Sequence, residues 1–379
     1  MKRANIYTIE KNTYQFIFGL GMFFILLSAS KFINNNFLTN NSNVLAWSIG
    51  IILFVISIFY TKFYTVKEIF FVCVVLIVGS STTYFSKSSE PIMMALYVVS
   101  CRKIEPYNIL KILFVVNLIL FLTNFVLYRM GILIDFQNFS FNKHSFGYGH
   151  PNSMGVSVFT LITISLSLLY KDYKEKKKIT TWLLALQIPL IALVITSGSR
   201  GAEIASLISF LFFFLILVFG ENKNFLYGLV IFLLVAMILF SIITFSDSVN
   251  VVGSFLYNLN QLFTQRLVLN NYFYRIYGIP FLGQKVEYNL VPTVINSYAF
   301  IDNAYVKSMI NFGILYSILY CSYIVCLTKK IITKKELGLI IPLVSFIVYG
   351  VVEQGFLQYW VNFSMFFSGI FFDYRKKYQ

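Results

Sequence analysis

Residues 182–219 read WLLALQIPLIALVITSGSRGAEIASLISFLFFFLILVF. Two apolar runs flank a polar island, Thr196–Glu203. Each run is close to the roughly 20 residues a helix needs to cross about 30 Å of hydrocarbon. The island holds Arg200 among Ser197, Gly198, Ser199, Gly201 and Ala202. A guanidinium at membrane depth is costly, and by default it marks function. Its small neighbours let another chain or a ligand approach the backbone. The stretch reads as two spans joined by a polar turn in a helical membrane protein.

Composition agrees. Of 379 residues 58% are hydrophobic and 12% charged, and mean hydropathy is +0.76; a soluble chain would carry about 25% charged residues. Apolar runs at about 13–34, 44–64, 69–86, 90–104, 107–129, 153–170, 182–197, 201–219, 225–245, 304–327, 337–351 and 356–372 predict an all-α polytopic bundle. About twelve spans (ten to twelve) would form a single membrane domain, residues 1–379. The fourth run, from Glu90-Pro91 to Ser100-Cys101-Arg102, is short enough to be re-entrant. No signal-peptide cleavage pattern stands out, so the run after Met1-Lys2-Arg3 reads as a retained span.

The formal charge of +15 would suggest nucleic acid in a soluble protein, but here the positive-inside rule accounts for most of it. With both termini cytoplasmic, 21 of the 30 basic residues fall on inner loops, including the run Lys171–Lys178. Eighteen of 23 lysines are inner, yet four of seven arginines, Arg129, Arg200, Arg266 and Arg275, are outer. Lysine sets the orientation. Arginine stands where charge disfavours that orientation, and its planar fork suits bidentate contact with phosphate. The competing reading is that these arginines snorkel to headgroups or pair with outer carboxylates.

Two outer loops are candidate site walls. The long one, 246–303, is too short for an independent domain but suits short amphipathic helices lying over the bundle; the second is 130–152. Soluble-nucleotide signatures, zinc-protease signatures and the nucleophile elbow are missing. Cys73, Cys101, Cys321 and Cys326 lie in or beside apolar runs without disulfide or zinc spacing, and two histidines do not make a multi-histidine metal site. No metal ligand set and no cofactor is expected.

The outer stretches together resemble the polysaccharide (O-antigen and capsule) repeat-unit polymerases of the Wzy type, within the O-antigen ligase/polymerase superfamily. The resemblance rests on Ser199-Arg200-Gly201 and on Phe146-Gly147-Tyr148-Gly149-His150-Pro151-Asn152. It also rests on Gln265-Arg266-Leu267 with Pro280-Phe281-Leu282-Gly283, and on Asp302-Asn303-Ala304-Tyr305 with Asn311-Phe312-Gly313-Ile314. It covers about 140–315 well and the remainder mainly through topology. Two departures stand out. Asp302 occupies the place where ligase-like relatives carry a histidine, and Lys143 and His144 stand in a position often rich in arginine.

The resemblance implies a metal-independent inverting glycosyltransferase of the bacterial cytoplasmic membrane. It would join undecaprenyl-pyrophosphate-linked oligosaccharides at the extracytoplasmic face, beside a flippase and a chain-length regulator. Arg200 and Arg266, supported by Arg129 or Arg275, would hold the pyrophosphate, and Asp302 or His150 would be the base. Tyr148, Asn152, Asn303 and Tyr305, with Tyr298, would line the sugar site. Plainer readings stand beside these: His150 as a helix cap, Asp302-Asn303 as an N-cap, and Glu203 as a partner for Arg200 or another basic residue. Glu353, in a short outer turn, has no assigned role. A lipid-linked oligosaccharide flippase or other transporter would also need about twelve spans, but would hold its ionisable groups near the midplane in related halves. A glycan ligase would share the donor site.

Overall fold

The computed structural model describes residues 2–29, 36–59, 65–133, 135, 143–176, 181–263, 265–288 and 300–372. Tyr298, stretches 136–142 and 289–299 of the loops at 130–152 and 246–303, and Lys177 and Lys178 lie outside them. The chain is about 80% helical, with no strand among the described residues. Fourteen α-helices are described: α1 Lys2–Ala29, α2 Asn36–Phe59, α3 Val66–Ser86, α4 Glu90–Ser100, α5 Pro106–Arg129, α6 Pro151–Lys174, α7 Thr181–Ser197, α8 Arg200–Phe219, α9 Lys223–Ile243, α10 Phe255–Leu262, α11 Arg266–Tyr277, α12 Ala304–Lys307, α13 Gly313–Thr333 and α14 Ile340–Tyr349.

Starts follow local chemistry. Thr65 caps α3 by accepting from the Glu68 amide, and α4, α5 and α6 each carry proline in their first turn, where no amide partner is needed. Six stretches are long and apolar enough to cross a membrane: α3, α5, α6, α8, α9 and the α12–α13 stretch Ala304–Thr333. Shorter apolar helices lie within α1, α2, α7 and Leu337–Tyr349. The expectation of twelve spans thus narrows to a helical membrane protein with six clear candidates.

The difference has a physical pattern. Run 356–372 does not form one long α-helix. It folds as 3₁₀ turns at Gln354–Phe356 and Phe363–Phe371. The second is broken at Phe367 into two short 3₁₀ pieces, so neither approaches the length of a span. Its polar side chains turn inward: Ser364 Oγ donates to Asn362 Oδ1, and Ser368 Oγ donates to the Val98 carbonyl at 2.6 Å. Helices α4 and α14 are also short, 11 and 10 residues, and buried over nearly their whole lengths. A helix apolar all round belongs in an interior. The short elements therefore form the middle of the bundle, while α3 and α9 bury few residues.

The long loop folds as expected into short helices, α10 and α11. Its Pro280–Gly283 run then docks on a break between α12 and α13. A π-turn at Ser308–Phe312 ends at Gly313, whose φ is +86°. The amides freed where α13 restarts donate to loop carbonyls, Ile314 to Pro280 at 3.0 Å and Leu315 to Phe281 at 3.2 Å. Gln284 N donates back to Asn311 O at 2.9 Å. A Cβ on Gly313 would lie 2.5 Å from the Gly283 nitrogen. Gly313→Ala is therefore expected to cost at least about 3 kcal/mol through positive φ and backbone overlap. Thermal unfolding followed by size-exclusion chromatography should show the loss. Gly228→Ala, where a Cβ meets nothing within 4 Å, should not.

Candidate active site

Six polar side chains distant in sequence converge where α6, α8 and α12 begin and α14 ends. Arg266, the first residue of α11, is the hub. Its Nε lies 3.1 Å from Asp302 Oδ2, and its Nη1 donates to Glu353 Oε1 at 3.2 Å and to the Val352 carbonyl. Asn152 Nδ2 donates to the same Glu353 oxygen at 3.0 Å. One guanidinium thus joins two carboxylates from separate segments. Asp302 is 3% exposed, while the side chains of Glu353 and Arg266 retain 17% and 27% exposure.

Local packing explains the convergence. Gly201, in the first turn of α8, has no side chain to hold the Glu353 turn away: a Cβ there would sit 3.2 Å from Glu353 Cγ and 3.1 Å from Val352. The Ala304 amide donates to Gly350 O at 2.7 Å, which ties Asp302 to the same turn. Asp135 fastens the loop that carries Lys143, accepting from Ser145 N at 2.7 Å, Phe146 N at 3.0 Å and His144 Nδ1 at 2.9 Å. Burial opposes the Asp135 charge, but these bonds prevail and hold its carboxyl below the ordinary value.

Charge is shared unevenly. Burial pushes Glu353 up to about 7; Asp302 adds to the rise, while Arg266 and Lys143 oppose it. Two carboxylates on one arginine cannot both be fully compensated, and the more weakly neutralised one keeps its proton longest. Lys143 is pulled below its ordinary value by burial first, then by the positive charges of Arg200 and Arg266; Glu203 and Glu353 act in the opposite sense. Arg200 is exposed at the first position of α8, beside this group. The arrangement offers a cationic edge, exposed Arg200 and half-buried Lys143, next to a carboxyl poised to exchange a proton near neutrality.

Beside it lies a second ion pair. Lys307 Nζ donates to Glu90 Oε2 at 2.9 Å and to Gln354 Oε1 at 2.8 Å, with both charges largely buried. Because Gln354 follows Glu353, this pair pins the next residue of the site turn. Breaking such a pair strands a buried charge.

The other expected residues fall elsewhere or do other work. His150 is exposed and caps α6, its Nδ1 accepting from the Asn152 amide at 3.1 Å. Asn303 caps α12, accepting from Tyr305 N and Val306 N, and its Nδ2 donates to Ser241 Oγ at 2.9 Å. Tyr148 and Tyr305 are both 4% exposed; Tyr148 shares a hydrogen bond with Ser157, and Tyr305 donates to the Ile347 carbonyl. Arg275 pairs with Asp247, the outer-carboxylate reading. Arg129 is exposed in the last turn of α5, and among the described residues no ion pair joins it to the cluster. His150→Ala is expected to cost about 1 kcal/mol as a lost cap. Thermal unfolding of the parent and the variant would check it.

Glu353 and Lys143 are the members that motif reading left without roles. The available signal was a lone carboxylate in a polar turn between two apolar runs, and a lysine beside a Gly-His-Pro-Asn stretch. No family model matches the chain, and no curated protein or solved structure matches it.

Proposed function

We propose that the protein polymerises undecaprenyl-pyrophosphate-linked oligosaccharide repeat units at the extracytoplasmic face of a bacterial cytoplasmic membrane. The observation that carries this reading is the convergence of Arg200, Lys143, Arg266, Asp302, Glu353 and Asn152 at one end of the bundle. The reading adopts ten to twelve membrane segments, the short central elements included, with both termini cytoplasmic. The cluster end is then extracytoplasmic, in agreement with the bias of lysine to the opposite loops.

In the proposed step an acceptor sugar hydroxyl attacks the anomeric carbon of the lipid-linked chain from the face opposite the pyrophosphate. The new carbon–oxygen bond forms as the bond to pyrophosphate breaks, which inverts the centre. Glu353 takes the hydroxyl proton, since a carboxylate with an affinity near neutrality is suited to general-base work. Arg200 and Lys143 stabilise the charge that develops on the departing lipid pyrophosphate. Arg266 holds Glu353 and Asp302 in place, and Asp302 keeps the proton affinity of Glu353 high. Asn152 orients Glu353 and adjoins the acceptor sugar. No metal or cofactor enters this scheme.

The deciding experiment is the lipid-linked glycan profile of cells lacking the protein. Accumulation of single repeat units on the outer leaflet is expected. Accumulation on the inner leaflet would replace this reading with a flippase, and long chains left unattached would replace it with a ligase.

A further inference from the structure

Away from the charged cluster, α3, α4, α13 and the C-terminal 3₁₀ segment enclose an apolar groove of about 660 Å³. Phe70, Val74, Met94, Val98 and Tyr316 are among the side chains along it. One end carries Lys67, in the first turn of α3, and Lys330, in the last turn of α13. The other end reaches Gly79 and Pro91. Along α3 the distance from Lys67 to Gly79 is about 18 Å of helical rise. That is close to the depth of one leaflet of a hydrocarbon core roughly 30 Å thick.

The lysine end is built differently from a bare lipid-facing furrow. Lys67 and Lys330 are exposed, and among the described residues neither has an ion-pair partner, whereas neighbouring Lys103 is paired with Glu68 at 3.5 Å. An aromatic shelf lies at the same end: Phe71 stacks on Tyr323 with centroids 6.2 Å apart and meets Phe372 edge-on at 5.7 Å. The Tyr323 hydroxyl donates to the Met365 carbonyl at 2.8 Å, so it is satisfied within the protein. Aromatic rings and lysines at one depth mark the level of lipid headgroups.

We infer that this groove is a binding site for one anionic diacyl phospholipid, with an acyl chain along α3 and α13 and the phosphate between Lys67 and Lys330. The length of one leaflet argues for a chain anchored at that end. The two lysines argue for a negative headgroup over a zwitterionic one. The site is independent of the polymerase reading and stands or falls separately.

The test uses the full-length protein in vesicles of phosphatidylcholine alone or with a phosphatidylglycerol fraction, followed by gentle delipidation and native mass spectrometry. The parent protein should retain one phosphatidylglycerol at least tenfold in preference to phosphatidylcholine. The Lys67→Gln/Lys330→Gln double variant should lose that preference. Equal retention of the two lipids by the parent, an unchanged preference in the double variant, or preferential retention of a polyprenyl phosphate offered in competition would each overturn the inference. A second measurement needs no substitution. Cys326 lines the groove one turn from Lys330, and its alkylation, resolved by peptide mass, should be at least threefold slower in phosphatidylglycerol-containing vesicles. An unchanged rate overturns the proposal even if the double variant fails to fold.

Discussion

On the proposed polymerase reading, Glu353→Gln is expected to slow polymerisation at least about 100-fold while leaving the protein folded and able to bind lipid-linked donor. Glutamine keeps a carbonyl oxygen for Arg266 and Asn152, which now lie 3.2 and 3.0 Å from Glu353 Oε1, and removes only the capacity to take a proton. The pH profile gives a sharper version. With Glu353 pushed up to about 7, the parent rate should rise with pH through that value as the carboxyl ionises, and the variant should lack this limb. Asp302→Asn should move the limb to lower pH, because it removes a charge that raises Glu353 and leaves Arg266 more fully to it. The sign for stability is opposite to that for rate. A raised carboxyl favours the fold most below its ordinary value of 4.5, and that contribution fades as pH climbs toward about 7. Relative to Glu353→Gln, the parent should therefore lose stability across this window. A parent rate flat between pH 6 and 8, or a glutamine variant with full turnover, would remove Glu353 from the chemistry.

Arg266→Lys should be nearly as damaging, for a different reason. The guanidinium reaches Asp302 with Nε and both Glu353 and the Val352 carbonyl with Nη1. An ammonium is a single point of charge and cannot reproduce that fork. Asp302, 3% exposed, would be left incompletely compensated, at a cost of about 3 kcal/mol. Turnover should fall by two orders of magnitude as Glu353 loses its anchor. Pairing Arg266→Met with Asp302→Asn separates the two effects. Stability should recover because the stranded charge is gone, and activity should not. Chromatographic unfolding and polymer length on gels would read the two quantities. A lysine variant with parental stability and normal polymer would mean that Arg266 merely occupies its place.

Much of this architecture was legible because burial in lipid is written in long apolar runs. The runs at 107–129, 153–170, 201–219 and 225–245 correspond closely to α5, α6, α8 and α9. Run 356–372 misled because apolarity reports burial and not backbone geometry: Asn362, Ser364 and Ser368 find buried partners and allow a 3₁₀ path. At the cluster, Arg200, Arg266 and Asp302 stood out because charge beside membrane spans needs a reason. Tyr148 and Tyr305 drew notice as aromatic groups in polar stretches, yet their hydroxyls are satisfied inside, by Ser157 and the Ile347 carbonyl. Nothing local in a sequence announces such a partner. Glu353 escaped assignment for the converse reason, since its character comes from Asp302, Arg266 and Asn152, all remote along the chain.

The short elements in the middle of the bundle also bear on how the protein meets bilayers of different thickness. Helices α4 and α14 rise only about 15–16 Å, and each would suffer severe hydrophobic mismatch if lipid touched it. Their residues are almost entirely enclosed, so the bulk bilayer does not set their length, and α4 would meet a lipid chain where it lines the groove beside α3 and α13. Longer helices such as α5, α8 and α9 present the lipid-matching surface instead. Thicker or thinner membranes would then be met by tilting of those outer helices, with the short elements left out of the match.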